Sequence, residues 1–140
     1  MGSDRSLKEP ITMSYPPPKP TQCRYCNGEV SYENNSELYG RSYGKWPYIY
    51  MCLRCKASVG THPNSDTPLG TLADRTLKDW RMKSKDIFFK RTRELKMSRN
   101  RAYTYLQELM NQSPNEAHFG IYEVEDCAKI VRIIQGNNQC

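Results

Sequence analysis

"CRYCNGEV" (residues 23–30) and "CLRCKASVG" (residues 52–60) decide the fold, because each sets two cysteines around a two-residue turn and 25 residues separate the pairs. A two-residue spacer lets both sulfurs of a pair face one point, and two such turns supply the tetrahedral sulfur site that zinc prefers. The predicted ligands are Cys23, Cys26, Cys52 and Cys55, holding one structural Zn2+. A knuckle of this kind favours a residue that tolerates positive φ just after its second cysteine; Asn27-Gly28 suits that role and Lys56-Ala57 suits it less. A redox pair would sit at the strand-to-helix junction of a βαβ unit, which the flanking residues do not suggest. A mixed site in which His62 replaces one cysteine remains a competitor, and the spacing does not choose zinc over iron.

The rest of the composition makes such a staple necessary. The chain has 140 residues, of which 37% are apolar, with nine prolines and eight glycines, so its core must be modest. No run approaches the ~20 apolar residues of a membrane span, and "MGSDRSLKEP" lacks the apolar stretch of a secretory leader. The chain reads as soluble and cytoplasmic, where thiols stay reduced and metal binding is the better reading of six cysteines. Cys127 falls on the apolar face of a helix and reads as core, and Cys140 as a terminal thiol.

Four segments follow. Residues 1–20, with "YPPPKP" at 15–20, read as a disordered proline-rich arm. Residues 21–70 form the zinc-ribbon module, with strands in "EVSYEN" (29–34) and "WPYIYMC" (46–52), the second demoted towards an edge by Pro47. The stretch between them reads as a loop bent at Gly40 and Gly44. Residues 71–136 form a basic helical part packed on the ribbon: a helix capped near Thr76 and Asp79, a second capped by Ser98, a helical turn at Ser113-Pro114, and a last helix from about Glu123 to Gln135. Residues 137–140 are a tail expected to fray. The class is α+β: a small zinc ribbon of short antiparallel strands around a four-cysteine site, packed against three or four helices.

The order "CRYCNGEV", "ELYGRSYG" (37–44), "YMCLRCKASVGTH" (50–62), "PLGTLAD" (68–74) and "AHFGIYEVEDC" (117–127) resembles a family of small zinc-finger-containing proteins found in phages and prophages. The likeness spans roughly residues 21–135. It implies a zinc-binding N-terminal half, a helical C-terminal half and, for a phage-encoded chain, residence in the host cytoplasm. It supports the four cysteines as ligands and draws attention to Tyr39, Gly40, Tyr43, Gly44, Gly60, His62, Gly70 and His118. It implies no reaction.

A zinc ion closed by four thiolates has no open position for activating water, so function is sought on the surface around it. Between Asp74 and Arg101 eleven Lys or Arg residues face four acids, a balance of +7 against +6 for the whole chain. Lys78, Arg81, Lys85, Lys90, Arg91 and Arg93 can neutralise phosphates, while Tyr39, Tyr43, Tyr48 and Tyr50, near Arg41, Lys45 and Arg54, can stack bases and hold a backbone. Against this stand a merely solvated helix face and tyrosines used for packing. His62 and Asp66 form a possible functional loop. The expected function is a non-enzymatic module that binds nucleic acid or a nucleic-acid-handling complex, with neither a membrane nor a small-molecule substrate in view. The alternatives are a docking protein that inhibits or redirects a host polymerase or defence nuclease, and a nuclease using His62 as general base.

Overall fold

The computed structural model describes residues 14–137, in which a small sheet and a helical half follow one another along the chain. The sheet has three antiparallel strands in sequence order: β1 (Val30–Asn34), β2 (Tyr48–Cys52) and β3 (Ser58–Gly60). Val30 faces Cys52 and Asn34 faces Tyr48 across the first pair; Ile49 faces Gly60 across the second. A four-residue helix, α1 (Ser36–Tyr39), sits in the β1–β2 connection and ends on Gly40 at φ 86°, the left-handed conformation that glycine adopts without strain.

Two sequence expectations change here. β2 is the central strand, not an edge. Pro47 lies just before its first residue, so its missing donor costs no ladder bond, and its carbonyl still accepts from Asn35 N–H at 2.6 Å. The third strand, β3, adds to the two expected: three residues are too few to show an alternation in the sequence.

The helical half contains α2 (Arg75–Glu94), α3 (Arg99–Met110), a 3-10 turn (Phe119–Ile121) and α4 (Val124–Asn137). The cap of α2 is Asp74, whose carboxylate accepts from Leu77 N–H at 2.9 Å, rather than the Thr76 and Asp79 pair suggested by sequence. Ser98 caps α3 as expected, accepting from Arg101 N–H at 3.1 Å. At Ser113-Pro114 the chain makes only a turn, and the helical turn comes later, at Phe119. Leu77, Ser84, Phe88 and Thr92 recur along the buried side of α2, and Phe88, Leu106, Phe119, Tyr122, Cys127, Ile130 and Ile134 form one apolar core. None of the described helices is long and apolar enough to cross a membrane.

The two halves are joined at a close backbone crossing. A Cβ on Gly70 would lie 1.9 Å from Gly120 O, and one on Gly120 would lie 2.1 Å from Leu69 O, so only glycines let these segments meet. Thr71 N–H donates to Gly120 O at 2.9 Å across the same crossing. Residues 14–20, read from their prolines as part of a disordered arm, lie along the body. Pro17 is buried, Tyr15 N–H donates to Asn115 O at 2.8 Å, and Lys19 pairs with Asp66 at 2.8 Å. Proline rings lose little entropy on packing and leave no N–H to satisfy, so such a stretch can dock without forming an element. The remainder of the arm, and the tail from residue 138, lie outside the described residues.

Candidate metal centre and surrounding surfaces

Both cysteine turns are built by the same hydrogen bonds. Cys23 N–H donates to Gly28 O at 2.8 Å and Asn27 N–H to Cys23 O at 2.9 Å; Cys52 N–H donates to Ala57 O at 2.8 Å and Lys56 N–H to Cys52 O at 3.1 Å. Backbone donors then point at sulfur, Tyr25 N–H to Cys23 Sγ and Arg54 N–H to Cys52 Sγ, each at 3.3 Å. The reversal puts Asn27 at φ 66° and Lys56 at φ 70°. Lys56 therefore does adopt the left-handed conformation for which its side chain is poorly suited, a strain of ~1–2 kcal/mol accepted because the turn around the sulfurs requires it. Gly28 is needed for a different reason: a Cβ there would sit 3.0 Å from Arg54 Cβ and 3.1 Å from Cys52 Sγ.

The four sulfurs converge. Cys26 and Cys52 Sγ are 3.5 Å apart, Cys23 and Cys55 Sγ 3.6 Å, and all four lie within 4.8 Å of one another. Sulfurs at a Zn–S length of ~2.3 Å stand ~3.8 Å apart at the corners of a tetrahedron, so the cluster fits that ion. A disulfide requires ~2.05 Å and is excluded. Burial pushes the Cys52 thiol up, but N–H donors from Cys55 and Arg54 and the neighbouring sulfurs outweigh it and bring it down to about 6. Cys55 is pushed up to about 12: Ala57 N–H opposes the rise, and desolvation and the adjacent sulfurs drive it. Four sulfurs this close can all carry charge only with a cation among them. The ligands are Cys23, Cys26, Cys52 and Cys55, and His62 is not one of the cluster. Four thiolates leave a bound zinc no open position, so it shapes the chain and performs no reaction.

The other predicted residues divide into those the fold consumes and those it leaves outside. Arg81 is consumed: Nε donates to Tyr122 O at 2.9 Å, Nη1 to Thr71 O at 2.9 Å and Nη2 to Thr71 Oγ1 at 2.6 Å, tying α2 to both segments of the crossing. Lys78 is half-buried with its ammonium on Ser58 Oγ, and burial lowers its pKa. Neither is the exposed phosphate contact that helical spacing suggested. Arg91 is half-buried and pairs with Glu94 at 3.4 Å. Lys85, Lys90 and Arg93 are exposed.

On the ribbon, Tyr39 and Tyr43 are both 47% exposed and meet edge to face at 5.4 Å, with the Arg41 guanidinium 4.7 Å over Tyr43. Asn35, buried, shapes their loop through its amide, donating to Tyr43 O and accepting from Tyr43 N–H, both at 3.0 Å. Lys45 is exposed beside them in the chain. His62 and Asp66 have different partners: His62 Nε2 is hydrogen-bonded to Tyr15 OH, while Asp66 pairs with Lys19, which holds its carboxyl below the usual range.

Three features lie beyond the sequence reading. Arg24 reaches Glu123 at 2.6 Å, linking the first knuckle to the start of α4. Tyr32 and Tyr48, both exposed, stack at 5.8 Å on the sheet face that also carries the buried Tyr50. Both histidines of the chain, together with Tyr15, line one cleft. The first and last join distant segments and leave no local signal; the tyrosine pair is a diagonal contact, because the register of β1 and β2 sets Tyr32 opposite Tyr50 and Tyr48 opposite Asn34.

The chain matches the family described as a zinc-finger-containing domain over residues 19–137, and it belongs to that family. No curated protein and no solved structure matches it.

Proposed function

We propose that this member of the zinc-finger-containing family is a non-enzymatic nucleic-acid-binding module, in which the metal builds the ribbon and the ribbon's open tyrosines engage an unpaired strand. The observation that carries this reading is the exposure of rings that a small core would be expected to use. Tyr32 (40%) and Tyr48 (36%) stack on each other on one sheet face, and Tyr39 and Tyr43 stand in the adjoining loop under Arg41. Tyr50 makes the contrast: it is buried, with its hydroxyl donating to Asp66 O at 2.6 Å, and serves packing. Exposed rings offer flat faces to any base, stacking contributes ~1–3 kcal/mol per base, and Arg41 and Lys45 supply charge for the backbone. Lys90 and Arg93 extend the positive surface on α2.

The test is fluorescence anisotropy with labelled single-stranded DNA and RNA and the full, zinc-loaded chain. Binding should weaken as salt rises, with a slope of about −0.7 per phosphate neutralised. Replacing Tyr32 and Tyr48 together by leucine should cost about tenfold or more, with zinc content unchanged. The absence of salt-dependent binding to either strand type, or affinity indifferent to both substitutions, would overturn the reading.

A further inference from the structure

Among the described residues, the ribbon and the helical half leave between them a cleft of about 840 Å³, within the size range of small-ligand sites. Each half contributes one histidine: His62 from the loop after β3, and His118 from the residue before the 3-10 turn. Tyr15 lies between them. Its ring stacks on the His118 ring at 4.1 Å and 17° between planes, and its hydroxyl is hydrogen-bonded to His62 Nε2. The cleft therefore already holds a flat ring on a flat platform, with a polar atom on that ring's edge satisfied by the opposite wall.

The charge around that ring is unbalanced. Arg81, Lys85 and Arg99 line the cleft against one carboxylate, Asp86. Arg81 is engaged by Thr71 and Tyr122. Lys85 has no hydrogen bond or ion pair with another described residue, and the Arg99 guanidinium rests over the Tyr103 ring at 5.4 Å. A stacking platform, a hydrogen-bonding group at the ring edge and two available cations at the rim match the face of a base, its polar edge and a phosphate.

We infer that this cleft is a binding site for one unpaired nucleotide, whose base takes the place of the Tyr15 ring on His118 and whose phosphate is held by Lys85 and Arg99. Tyr15 is the resident plug. It is tied by the stack on His118, by the hydrogen bond and an edge-on ring contact to His62, and by a backbone hydrogen bond to Asn115 O, so a base that displaces the ring exchanges like contacts for like and leaves the apolar core closed. Asp86 and His62 offer an acceptor and a switchable donor or acceptor to the base edge. The choice of ligand rests on the nucleic-acid reading above, but the site is separate from the ribbon face.

The experiment is isothermal titration of the full, zinc-loaded chain with adenosine 5′-monophosphate and, in a second arm, with a short single-stranded oligonucleotide. Tyr15→Ala should raise affinity for the mononucleotide about tenfold over wild type, the gain expected when a competing ring that supplies one stack is removed. Tyr15→Phe, which keeps the ring and loses the hydroxyl, should give a smaller gain. His118→Ala or Lys85→Glu in the Tyr15→Ala background should cancel it. A gain confined to the oligonucleotide arm identifies the nucleotide as part of a strand; a gain in both identifies a site that also takes the free form. The inference fails if Tyr15→Ala and Tyr15→Phe, each folded and zinc-replete, change neither affinity, or if the gain survives loss of His118. Strand affinity indifferent to the Tyr32 and Tyr48 substitutions, with mononucleotide binding that responds to Tyr15→Ala and His118→Ala, would defeat the earlier reading and leave this one standing, and the reverse holds equally.

Discussion

The two halves of the chain use cysteine in opposite ways. In the helical half Cys127 is fully buried among Phe88, Leu106, Tyr122, Ile130 and Ile134, and burial pushes its thiol up; it is a small apolar side chain in a core that stands on packing. In the ribbon Cys52 is likewise closed to solvent but lies nearer the surface, and backbone donors with the neighbouring sulfurs draw its thiol down to about 6. The ribbon's buried cluster is Cys23, Tyr50, Cys52, Ala57 and Leu72, with Val30 and Val59 packed against it, so two of its five buried members are ligands. Burial alone does not decide what a thiol does. The N–H groups aimed at it and the other sulfurs within reach do.

The largest effect should therefore come from removing the metal. Structural zinc sites are worth roughly 10–16 kcal/mol in apparent binding free energy, as much as the whole stability of a typical domain. Chelation, or Cys52→Ser, should unfold residues 21–60 while leaving most of the helical signal in far-UV circular dichroism. Hydrogen exchange provides the local readout. Amides of β2 should lose protection on chelation, and those of α2 and α4 should keep it. Protected β2 amides in zinc-free protein would show that the ribbon's apolar side chains suffice without the metal and would remove the contrast between the halves.

The same contrast governs how much can be read from sequence. The ligands are legible because a thiolate turn is local: one short stretch fixes both the spacing and the positive φ at Asn27. Its second copy is less legible at Lys56, where the metal's demand overrides side-chain preference and puts a lysine at φ 70°. Helix periodicity locates α2, α3 and α4 to within a few residues, and the Ser98 cap is visible because capping is also local. Whether a cation faces solvent is not legible. Lys78, Arg81 and Lys85 recur along one side of a helix, but which of them turns inward depends on Ser58, Thr71 and Tyr122, which belong to other segments. The docking of Tyr15 between two histidines is hidden for the same reason.

A smaller effect, of about 3 kcal/mol, is expected from Gly120→Ala, because the new methyl would meet Leu69 O at 2.1 Å and backbone yields less readily than a side chain. This substitution touches neither core and no ligand. If the halves form one cooperative unit through the crossing and the Arg81 bonds, thermal unfolding of the zinc-loaded variant should shift downward as a single transition seen alike by tyrosine fluorescence and by helical dichroism. Two transitions, with the helical one unmoved, would mean that the crossing merely lets the halves lie together. The contrast would then extend from composition to folding.

The smallest effect concerns His118, where the halves meet Tyr15. Burial holds its imidazole below the ordinary 6.5, against an opposing hydrogen bond at Pro114. With the folded value depressed, the unfolded chain binds the proton first as pH falls. Stability attributable to His118 is then complete above pH 6.5 and declines below it until the folded value is passed. His118→Gln should remove that decline. The measurement is the difference in urea midpoint between wild type and variant across this interval, in excess zinc. Acid release of the metal is common to both proteins and cancels in the difference. A slope unchanged in His118→Gln would place the acid sensitivity wholly in the thiolates, and the ribbon alone would set the pH response of the molecule.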